Sequence, residues 1–293
     1  MSEKPKVVAE IGCNHMGDMA IAKEMVGVVA TFCKADFVKF QKRTNAELLT
    51  PEQYDAPHPV PRNSFGDSYG AHREFLELSL DQHRELKEYC EQMKVGYATS
   101  VWDLTAAKEI ATIEPAYIKI PSGTNQHFDL LGYLCDEYGG QIHASLGMTT
   151  RAEEERLVSF FEGRGRAKDL VLYACTSGYP VPFEDVCLRE ITRLREAYES
   201  RVNTIGFSGH HLGIAIDTAA QTLGATWIER HFTLDRTWKG TDHAASLEPD
   251  GLRKLVRNGE AVAKALCYKP SELLEIELPQ RKKLKWGEYN EAG

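Results

Sequence analysis

Three consecutive stretches decide the fold: Ile205-Gly-Phe-Ser-Gly-His210, residues 213–224, and Trp227-Ile-Glu-Arg-His-Phe232. The outer two are predicted to be short buried strands that carry a histidine at the end, and the middle one has a helical pattern. Two strands joined by a helix are parallel neighbours in a βαβ unit. This unit brings His210 and His231 to the same end of adjacent strands, where two imidazoles can share one divalent metal. The alternative is a pair of unrelated strand-end histidines.

Six further apolar stretches rich in β-branched residues precede this pair, and helical patterns alternate with them. Strands are predicted over residues 7–12, 37–41, 96–101, 117–122, 142–147, 170–176, 205–210 and 227–232, and further helices over 79–93, 104–113, 151–161, 185–198 and 251–266. Eight strands that alternate with eight helices predict an α/β fold, a single-domain (β/α)8 TIM barrel. A doubly wound sheet ranks below it, because no GxGxxG motif follows the first strand.

The chain divides into a barrel and a short tail. We assign residues 1–270 to the catalytic barrel and residues 271–293 to a C-terminal tail. The connection of residues 42–78 is long and rich in proline, glycine and aromatic residues. It leaves the C-terminal end of a strand, which is the catalytic face of a barrel, so we expect a partial lid, with a solvated excursion as the alternative.

Composition excludes several classes of protein. The 293 residues are 42% hydrophobic and 27% charged, which is ordinary for a globular protein. The net charge is −8, and one short basic run occurs, Arg281-Lys-Lys-Leu-Lys285. This charge balance argues against a nucleic-acid partner. No apolar run approaches the ~20 residues that cross a bilayer, and no signal peptide fits, so no membrane partner is expected. The seven scattered cysteines lack a CxxC pair and indicate reduced thiols. We therefore expect a cytoplasmic protein.

Two lysines lie inside apolar strands, in Val38-Lys39-Phe40 and Ile118-Lys119-Ile120. Buried lysine requires a partner, so both side chains must point to an anion or a carboxylate. The alternative is internal pairing with Glu10 or Glu229. Two lysines beside several strand-end hydroxyls and two histidines suit a phosphorylated, carboxylated substrate next to a metal.

Seven motifs along the chain carry a family resemblance. They are Ala9-Glu-Ile-Gly-Cys-Asn-His-Met-Gly17, Val38-Lys-Phe-Gln41, Ile118-Lys-Ile-Pro-Ser-Gly123, Cys175-Thr-Ser-Gly-Tyr-Pro-Val-Pro182, Ile205-Gly-Phe-Ser-Gly-His210, Ile228-Glu-Arg-His-Phe-Thr233 and Lys239-Gly-Thr-Asp-His-Ala-Ala-Ser-Leu-Glu-Pro249. Together they make the chain resemble the barrel domain of the sialic acid (N-acetylneuraminate) synthase family. That family condenses phosphoenolpyruvate with an aldose and forms a 3-deoxy-2-keto sugar acid and phosphate. The resemblance implies that these two small molecules are the partners.

The resemblance also implies roles for individual residues. His210 and His231 would bind a divalent metal, manganese above all, with magnesium or cobalt as alternatives. Phosphoenolpyruvate would contact Lys39, Lys119, Ser122, Ser145 and Ser208, with Ser100 beside them and Ser177 at a position where the family often has asparagine. Glu10, Gln41, Tyr179 and Asp242 would face the sugar and the water bound to the metal. We expect the catalytic residues to be Glu10, Lys39, Lys119 and Asp242.

Two departures from the family pattern concern the aldose. Members that use N-acetylmannosamine usually carry a glutamate that binds the sugar directly after the Ser-Gly of the fourth strand, where this chain has Thr124. The family also commonly adds a small antifreeze-like C-terminal domain, whereas this sequence ends at Gly293 after the last barrel helix. We therefore expect an aldose other than N-acetylmannosamine, in a site that Thr124 helps to form.

Two other functions stay open at this point. A class II-type metal-dependent aldolase also uses a barrel with histidine-bound metal, but it would show three histidine ligands and no pair of phosphate-binding lysines. A non-catalytic barrel that serves as a binding protein is disfavoured, because Lys39, Lys119, His210 and His231 are all present. The sequence also leaves a homo-oligomer open.

Overall fold

Eight parallel strands close into one barrel in chain order in this computed structural model, which describes residues 3–287. The strands are β1 (Lys6–Gly12), β2 (Phe37–Lys42), β3 (Gly96–Val101), β4 (Tyr117–Ile120), β5 (Gln141–Ser145), β6 (Leu170–Cys175), β7 (Thr204–Gly209) and β8 (Trp227–His231). Strand β1 pairs with both β2 and β8, which closes the ring. The prediction of a (β/α)8 TIM barrel is confirmed.

Helices fill the outer layer between successive strands. They are α1 (Met19–Val28), α2 (Asn45–Leu48), α3 (Pro51–Asp55), α4 (Tyr69–Phe75), α5 (Leu80–Met93), α6 (Leu104–Ala111), α7 (Phe128–Glu137), α8 (Arg151–Gly163), α9 (Arg189–Tyr198), α10 (Ala215–Thr222), α11 (Pro249–Ala265) and α12 (Leu278–Leu284). Apolar side chains on these helices and on the outer faces of the strands form the main core. The hydroxyl of Ser79 accepts the amide of Gln82 at 3.3 Å and the side chain of Gln82 accepts the amide of Ser79 at 2.8 Å, a capping box that begins α5.

Strand β4 is shorter than predicted. It ends at Ile120, and a 3-10 turn over Ser122–Thr124 follows instead of two further strand residues. Pro121 explains the difference, because proline has no N–H group to donate to the sheet. The polar residues of the Pro-Ser-Gly motif therefore lie on a turn at the mouth of the barrel.

Aromatic rings fill the lower end of the barrel. Tyr117, Tyr173 and Trp227 are buried there with small aliphatic residues in a second apolar cluster. The ring of His143 stacks on Tyr117 with 3.8 Å between centroids and meets Trp227 at 4.7 Å. This packed layer closes the interior from below, as in TIM barrels generally, and leaves the C-terminal mouth as the open end.

The segment between β2 and α5 folds into short helices, α2, α3 and α4, with a 3-10 turn over Pro61–Asn63. Phe65 stacks on Phe75 with 5.2 Å between ring centroids, and Lys239 from the segment after β8 lies 4.7 Å above the Phe65 ring. The segment therefore contacts the far side of the mouth.

The chain after the barrel is largely exposed. It contains a 3-10 turn over Glu275–Glu277 and helix α12, while residues 288–293 of the predicted tail lie outside the described residues. Tyr268 and Trp286 are almost fully exposed. Among the described residues, no helix is both long and apolar enough to cross a membrane.

Candidate active site

A cavity of about 480 Å³ opens at the C-terminal mouth of the barrel. Nearly all of the residues predicted to form the site line it: Glu10, Lys39, Gln41, Ser100, Lys119, Ser122, Ser145, Ser177, Tyr179, Ser208, His210, His231 and Asp242. They come from all eight strands or the turns that follow them, because parallel strands in a closed barrel present their carboxyl ends to one face.

Thr124 is the predicted site residue that does not line this cavity. It ends the 3-10 turn whose earlier residues, Ser122 and Gly123, do reach the cavity. The hydroxyl of Thr124 is buried and has no hydrogen-bond partner in the described part of the chain. A direct contact between Thr124 and a sugar in this cavity therefore has no support from the placement of the residue.

Lys39 lies at the bottom of the cavity within a buried cluster of charges. Its ammonium group is 2.6 Å from Oε2 of Glu10 and 3.7 Å from Oε1 of Glu229, and it donates to the hydroxyl of Ser100 at 2.6 Å. The side chain of Gln41 holds the other oxygen of Glu10 at 2.8 Å. Burial acts to lower the pKa of Lys39, but the two carboxylates outweigh it and raise the pKa. The protons of Lys39 thus already have partners within the protein.

Lys119 has fewer partners. Its ammonium group pairs with Oε2 of Glu229 at 3.0 Å and lies 3.8 Å above the centre of the Tyr173 ring. Burial lowers the pKa of Lys119, and the opposing attraction of Glu229 does not compensate for it. Lys119 is therefore the lysine whose charge a further anion would stabilise most.

Glu229 joins the two lysines and is the main residue that the sequence-based site omitted. One oxygen binds Lys119 and the other accepts a hydrogen bond from the hydroxyl of Ser208 at 3.2 Å. Burial would raise its pKa, yet the ammonium groups of Lys119 and Lys39 hold that pKa far below the usual range. The signal was present in the sequence, since Glu229 is two places before His231 and shares its face of the strand. Both lysines pair with buried carboxylates inside the protein, which was the alternative considered from the sequence.

The two histidines lie side by side at the mouth. Their ring centroids are 5.4 Å apart, and Nδ1 of His210 is 3.0 Å from the carbonyl oxygen of Thr176. That carbonyl can only accept, so Nδ1 of His210 carries the proton and Nε2 has a free lone pair. Burial lowers the pKa of His210 to about 4, which keeps the ring neutral near pH 7.

His231 has a buried Nδ1 without a hydrogen-bond partner in the described chain, 3.9 Å from Oδ2 of Asp242. The ring of Tyr179 packs against both imidazoles, with 4.3 Å between its centroid and that of His210 and 5.8 Å to that of His231. Two adjacent imidazoles with unused nitrogen atoms fit a divalent metal. Within residues 3–287, no group of three or more His, Cys, Asp or Glu side chains is placed to hold a metal. The protein would therefore supply two ligands and leave the other positions open.

Hydroxyl groups surround the remaining wall of the cavity. The hydroxyl of Ser122 accepts the backbone amide of Gly147 at 3.0 Å. A Cβ atom at position 147 would lie 2.8 Å from that hydroxyl and closer still to the hydroxyl of Ser177. Gly147 thus allows the two serines to converge beside Ser145 and Ser208.

The segment between β2 and α5 adds residues that the sequence did not predict. His58, Tyr69, His72 and Arg73 line the cavity from this segment. Arg43, which also lines it, is held by the carboxylate of Glu77 and donates to the thiol of Cys13 at 2.6 Å. The sequence placed none of these side chains, because a long connection has no periodicity that would reveal which residues turn inward.

The fold and the site define a TIM-barrel enzyme whose polar groups are concentrated at the catalytic face. The family model described as NeuB family matches residues 25–270 of the chain. The chain is 36% identical to human N-acetylneuraminate-9-phosphate synthase over 95% of this chain and 76% of that protein. It is 32% identical to the N,N'-diacetyllegionaminic acid synthase of Campylobacter jejuni over 90% of this chain and 78% of that protein.

A solved structure agrees with these similarities. The N-acetylneuraminic acid synthetase of Leptospira borgpetersenii, solved in complex with citrate, superposes with a TM-score of 0.80 and 28% identity, covering 97% of this chain and 93% of that one. The chain belongs to the NeuB family. The family resemblance drawn from the sequence is confirmed, and so is the prediction of a sugar acid synthase.

Proposed function

We propose that the protein condenses phosphoenolpyruvate with an aldose to give a 3-deoxy-2-keto sugar acid and inorganic phosphate. One observation carries this proposal: a single cavity combines two buried lysines, several hydroxyl groups and two adjacent histidines at the catalytic face. The lysines and hydroxyls suit a phosphorylated carboxylate, and the histidines suit the metal that activates an aldehyde.

Phosphoenolpyruvate would lie on the side of the cavity formed by Lys119 and the serines. The charges of Lys39, Lys119, Glu10 and Glu229 balance, so attraction for an anion has to come from donors that these pairs leave unused. The ammonium group of Lys119 can still donate to a further anion, and the hydroxyl groups of Ser122 and Ser145 add neutral donors. In a buried site, donors fixed in advance are worth more than they are in water.

His210 and His231 would hold the divalent metal, which we propose to be manganese. A metal bound there supplies Lewis acidity that polarises the aldehyde oxygen of the sugar. The chain would contribute by keeping the His210 ring neutral through burial and by orienting that ring through its contact with Thr176. Replacement of either histidine would remove half of the protein ligands.

The proposed reaction forms one carbon–carbon bond and releases phosphate. Carbon 3 of phosphoenolpyruvate bonds to the aldehyde carbon, and the aldehyde oxygen takes up a proton to become a hydroxyl group. A water oxygen adds to carbon 2, the bond between carbon 2 and the phosphate oxygen breaks, and the remaining hydroxyl proton leaves with the phosphate to give the 2-keto group. Glu10 accepts the proton of that water, held in place by Gln41 and Lys39. Asp242 would orient the sugar, since it lines the cavity beside His231. Tyr179, which covers the histidines, would shield them from bulk water.

The identity of the aldose is proposed from the names of the relatives and from position 124. The relatives differ in their names: three are N-acetylneuraminate-9-phosphate synthases, and others are synthases of N,N'-diacetyllegionaminic acid and pseudaminic acid. Thr124 replaces the acidic residue associated with N-acetylmannosamine, and we propose that free N-acetylmannosamine is not the preferred substrate. This proposal rests on the absence of a carboxylate at position 124 and not on a contact of Thr124 itself.

We also propose that the protein acts in the cytoplasm. All seven cysteines are free thiols in the structure, which suits a reducing compartment. Homo-oligomer formation stays a prediction.

The test is an assay of phosphate release with phosphoenolpyruvate, manganese and a panel of aldoses. The proposal expects release that depends on both the aldose and the metal, with formation of a sugar acid that contains the three carbons of phosphoenolpyruvate. A class II-type aldolase would cleave or form aldol products from pyruvate or a ketose phosphate without consuming phosphoenolpyruvate. Binding of the substrates without turnover under any combination would favour a non-catalytic barrel and refute the proposal.

A further inference from the structure

The ammonium group of Lys119 lies over the ring of Tyr173 at the floor of the candidate active site. Its Nζ atom is 3.8 Å from the centre of the ring, and both side chains are almost fully buried. The face of an aromatic ring carries partial negative charge and attracts a cation, most strongly where water is excluded. Tyr173 does not line the cavity, so it contacts Lys119 without reaching a substrate there.

The ring attracts Lys119 without adding a negative charge. Lys39, the other buried lysine, has two carboxylates and a hydroxyl group around its ammonium. Lys119 has one carboxylate partner within residues 3–287, Glu229 at 3.0 Å, and the ring face. A second carboxylate beside Lys119 would also stabilise the ammonium, but it would repel an anionic substrate. A neutral ring does not repel the substrate, and it leaves N–H groups of Lys119 available to it.

The ring of Tyr173 is held by two neighbouring groups. Its hydroxyl shares a hydrogen bond of 2.9 Å with Nδ1 of His143, a buried ring that stacks on Tyr117. Gly206 is the partner of Tyr173 in the pairing of β6 with β7. A Cβ atom at position 206 would lie 2.9 Å from Cε1 of the ring, so glycine at this position gives the ring its room. These contacts fix the surface on which the ammonium of Lys119 rests.

Charged groups on neighbouring strands also act on Lys119. Burial lowers the pKa of Lys119, Glu229 on β8 raises it, Lys39 on β2 lowers it, and the thiol of Cys175 on β6 raises it. His143 on β5 is neutral, because burial holds its pKa well below the usual range. The ring face opposes the effect of burial, since it favours the ammonium over the neutral amine. Loss of the ring face should therefore lower the pKa of Lys119 further.

We propose that Tyr173 is a positioning residue for phosphoenolpyruvate, because the face of its ring holds the ammonium group of Lys119 at the cavity floor without adding negative charge. The inference rests on the proposed function, in which Lys119 binds phosphoenolpyruvate. Tyr173 acts through Lys119 and does not contact the substrate itself. Its loss should therefore change the binding of phosphoenolpyruvate and leave kcat at saturating substrate unchanged.

The test measures the Kd of phosphoenolpyruvate by calorimetry, with magnesium and without an aldose, from about pH 7.5 upward, where a phosphate group is fully ionised. Affinity of the wild type should fall with rising pH as Lys119 loses its proton, and Lys119→Met should lack this dependence. Tyr173→Leu removes the ring face and should move the fall about one pH unit lower, which makes the Kd above it about tenfold higher than that of the wild type. Tyr173→Phe keeps the ring face and should bind as the wild type does.

Tyr117→Leu is the matched control. Tyr117 belongs to the same buried cluster as Tyr173 and loses the same atoms in this change, but its ring stacks on His143 and not on Lys119. This variant should keep the wild-type pH dependence, whatever its melting temperature. If Tyr173→Leu does not fold, a phenylalanine with fluorine atoms on its ring is inserted at position 173. Fluorine withdraws charge from the ring face and keeps the shape of the ring, so the same shift in pH dependence is expected.

Titration of Lys119 without substrate separates this inference from the proposed function. The carbon-13 signal of Cε in Lys119, identified by its loss in Lys119→Met, reports the pKa of the side chain. That pKa should be lower in Tyr173→Leu than in the wild type and unchanged in Tyr173→Phe.

Three outcomes would overturn the inference. Tyr173→Leu could keep the wild-type pKa of Lys119 and the wild-type pH dependence of binding, Tyr173→Phe could shift both as far as Tyr173→Leu does, or Tyr117→Leu could shift them equally. A wild-type protein that does not bind phosphoenolpyruvate at all refutes the proposed function instead. The carbon-13 titration then decides by itself whether the ring of Tyr173 holds the ammonium of Lys119.

Discussion

Replacement of Lys119 by methionine is expected to weaken the binding of phosphoenolpyruvate more than replacement of Lys39. Lys119 has one carboxylate partner at 3.0 Å and a ring face at 3.8 Å, so it has donor capacity left for a substrate anion. The ammonium of Lys39 is already surrounded by Glu10, Ser100 and Glu229. Loss of one partner of a desolvated charge pair costs about 2–4 kcal/mol in binding. For Lys119→Met this corresponds to an increase of about 30- to 900-fold in the Kd of phosphoenolpyruvate.

The cost of Lys39→Met should appear mainly in folding. Without Lys39, the buried carboxylate of Glu10 keeps the side-chain amide of Gln41 as its one hydrogen-bond donor within residues 3–287. Removal of one partner from a buried ion pair destabilises a protein by about 3–5 kcal/mol. The two variants should therefore differ. Lys119→Met should mainly lower the affinity for phosphoenolpyruvate, and Lys39→Met should mainly lower the free energy of unfolding.

Calorimetric titration with phosphoenolpyruvate and urea denaturation measure the two quantities on the same samples. Lys42→Met is the matched control, since Lys42 lies on the same strand as Lys39, pairs with Glu109 at 3.3 Å and does not line the cavity. Its affinity for phosphoenolpyruvate should equal that of the wild type. The reasoning is wrong if Lys119→Met binds phosphoenolpyruvate as tightly as the wild type, and both lysines would then have a purely structural role.

Three further predictions concern two histidines and the serine hydroxyl groups that line the cavity. His231→Ala should lose retained manganese and turnover while circular dichroism shows an intact fold, and full metal-dependent activity in this variant would contradict the metal site. Burial lowers the pKa of His83 to about 3 from its usual 6.5, so the folded state binds fewer protons than the unfolded state between these values. The free energy of unfolding should therefore fall as pH drops from 6.5 towards 3. His83→Gln should reduce the slope of the unfolding free energy against pH by up to about 1.4 kcal/mol per pH unit. An unchanged slope, measured by urea denaturation at several pH values, would refute this. Gly147→Ala should raise the KM for phosphoenolpyruvate with little change in melting temperature, because the added methyl group forces the hydroxyls of Ser122 and Ser177 to turn away; an unchanged KM would show that these hydroxyls do not contact the substrate.

The barrel could be predicted from the sequence because its strands are buried on both faces and its helices on one. Buried strands appear as short β-branched runs, and one-sided helices repeat their apolar residues with the helical period. The predicted start of the helix at Ser79 agrees with the capping box of Ser79 and Gln82, which depends only on residues three apart. The end of β4 was missed by two residues, because the prediction did not account for Pro121.

The segment between β2 and α5 illustrates the limit of such patterns. Helices α2, α3 and α4 are four to seven residues long and were predicted as a loop. So short a helix completes barely two turns, which is too few to show periodicity, and it depends on tertiary packing to form. The inward direction of Arg73 and the contact of Lys239 with Phe65 follow from that packing.

The sequence by itself determined which residues lie at the mouth of the barrel. The alternation of side chains along each strand is a local property, and the strand–helix repeat predicts parallel strands in a barrel, so together they place His210, His231 and both lysines at the catalytic face. Only the tertiary structure decided how these groups pair across the barrel. Lys119 and Glu229 are 110 residues apart, and their contact at 3.0 Å depends on how the closed ring brings β4 and β8 to face each other.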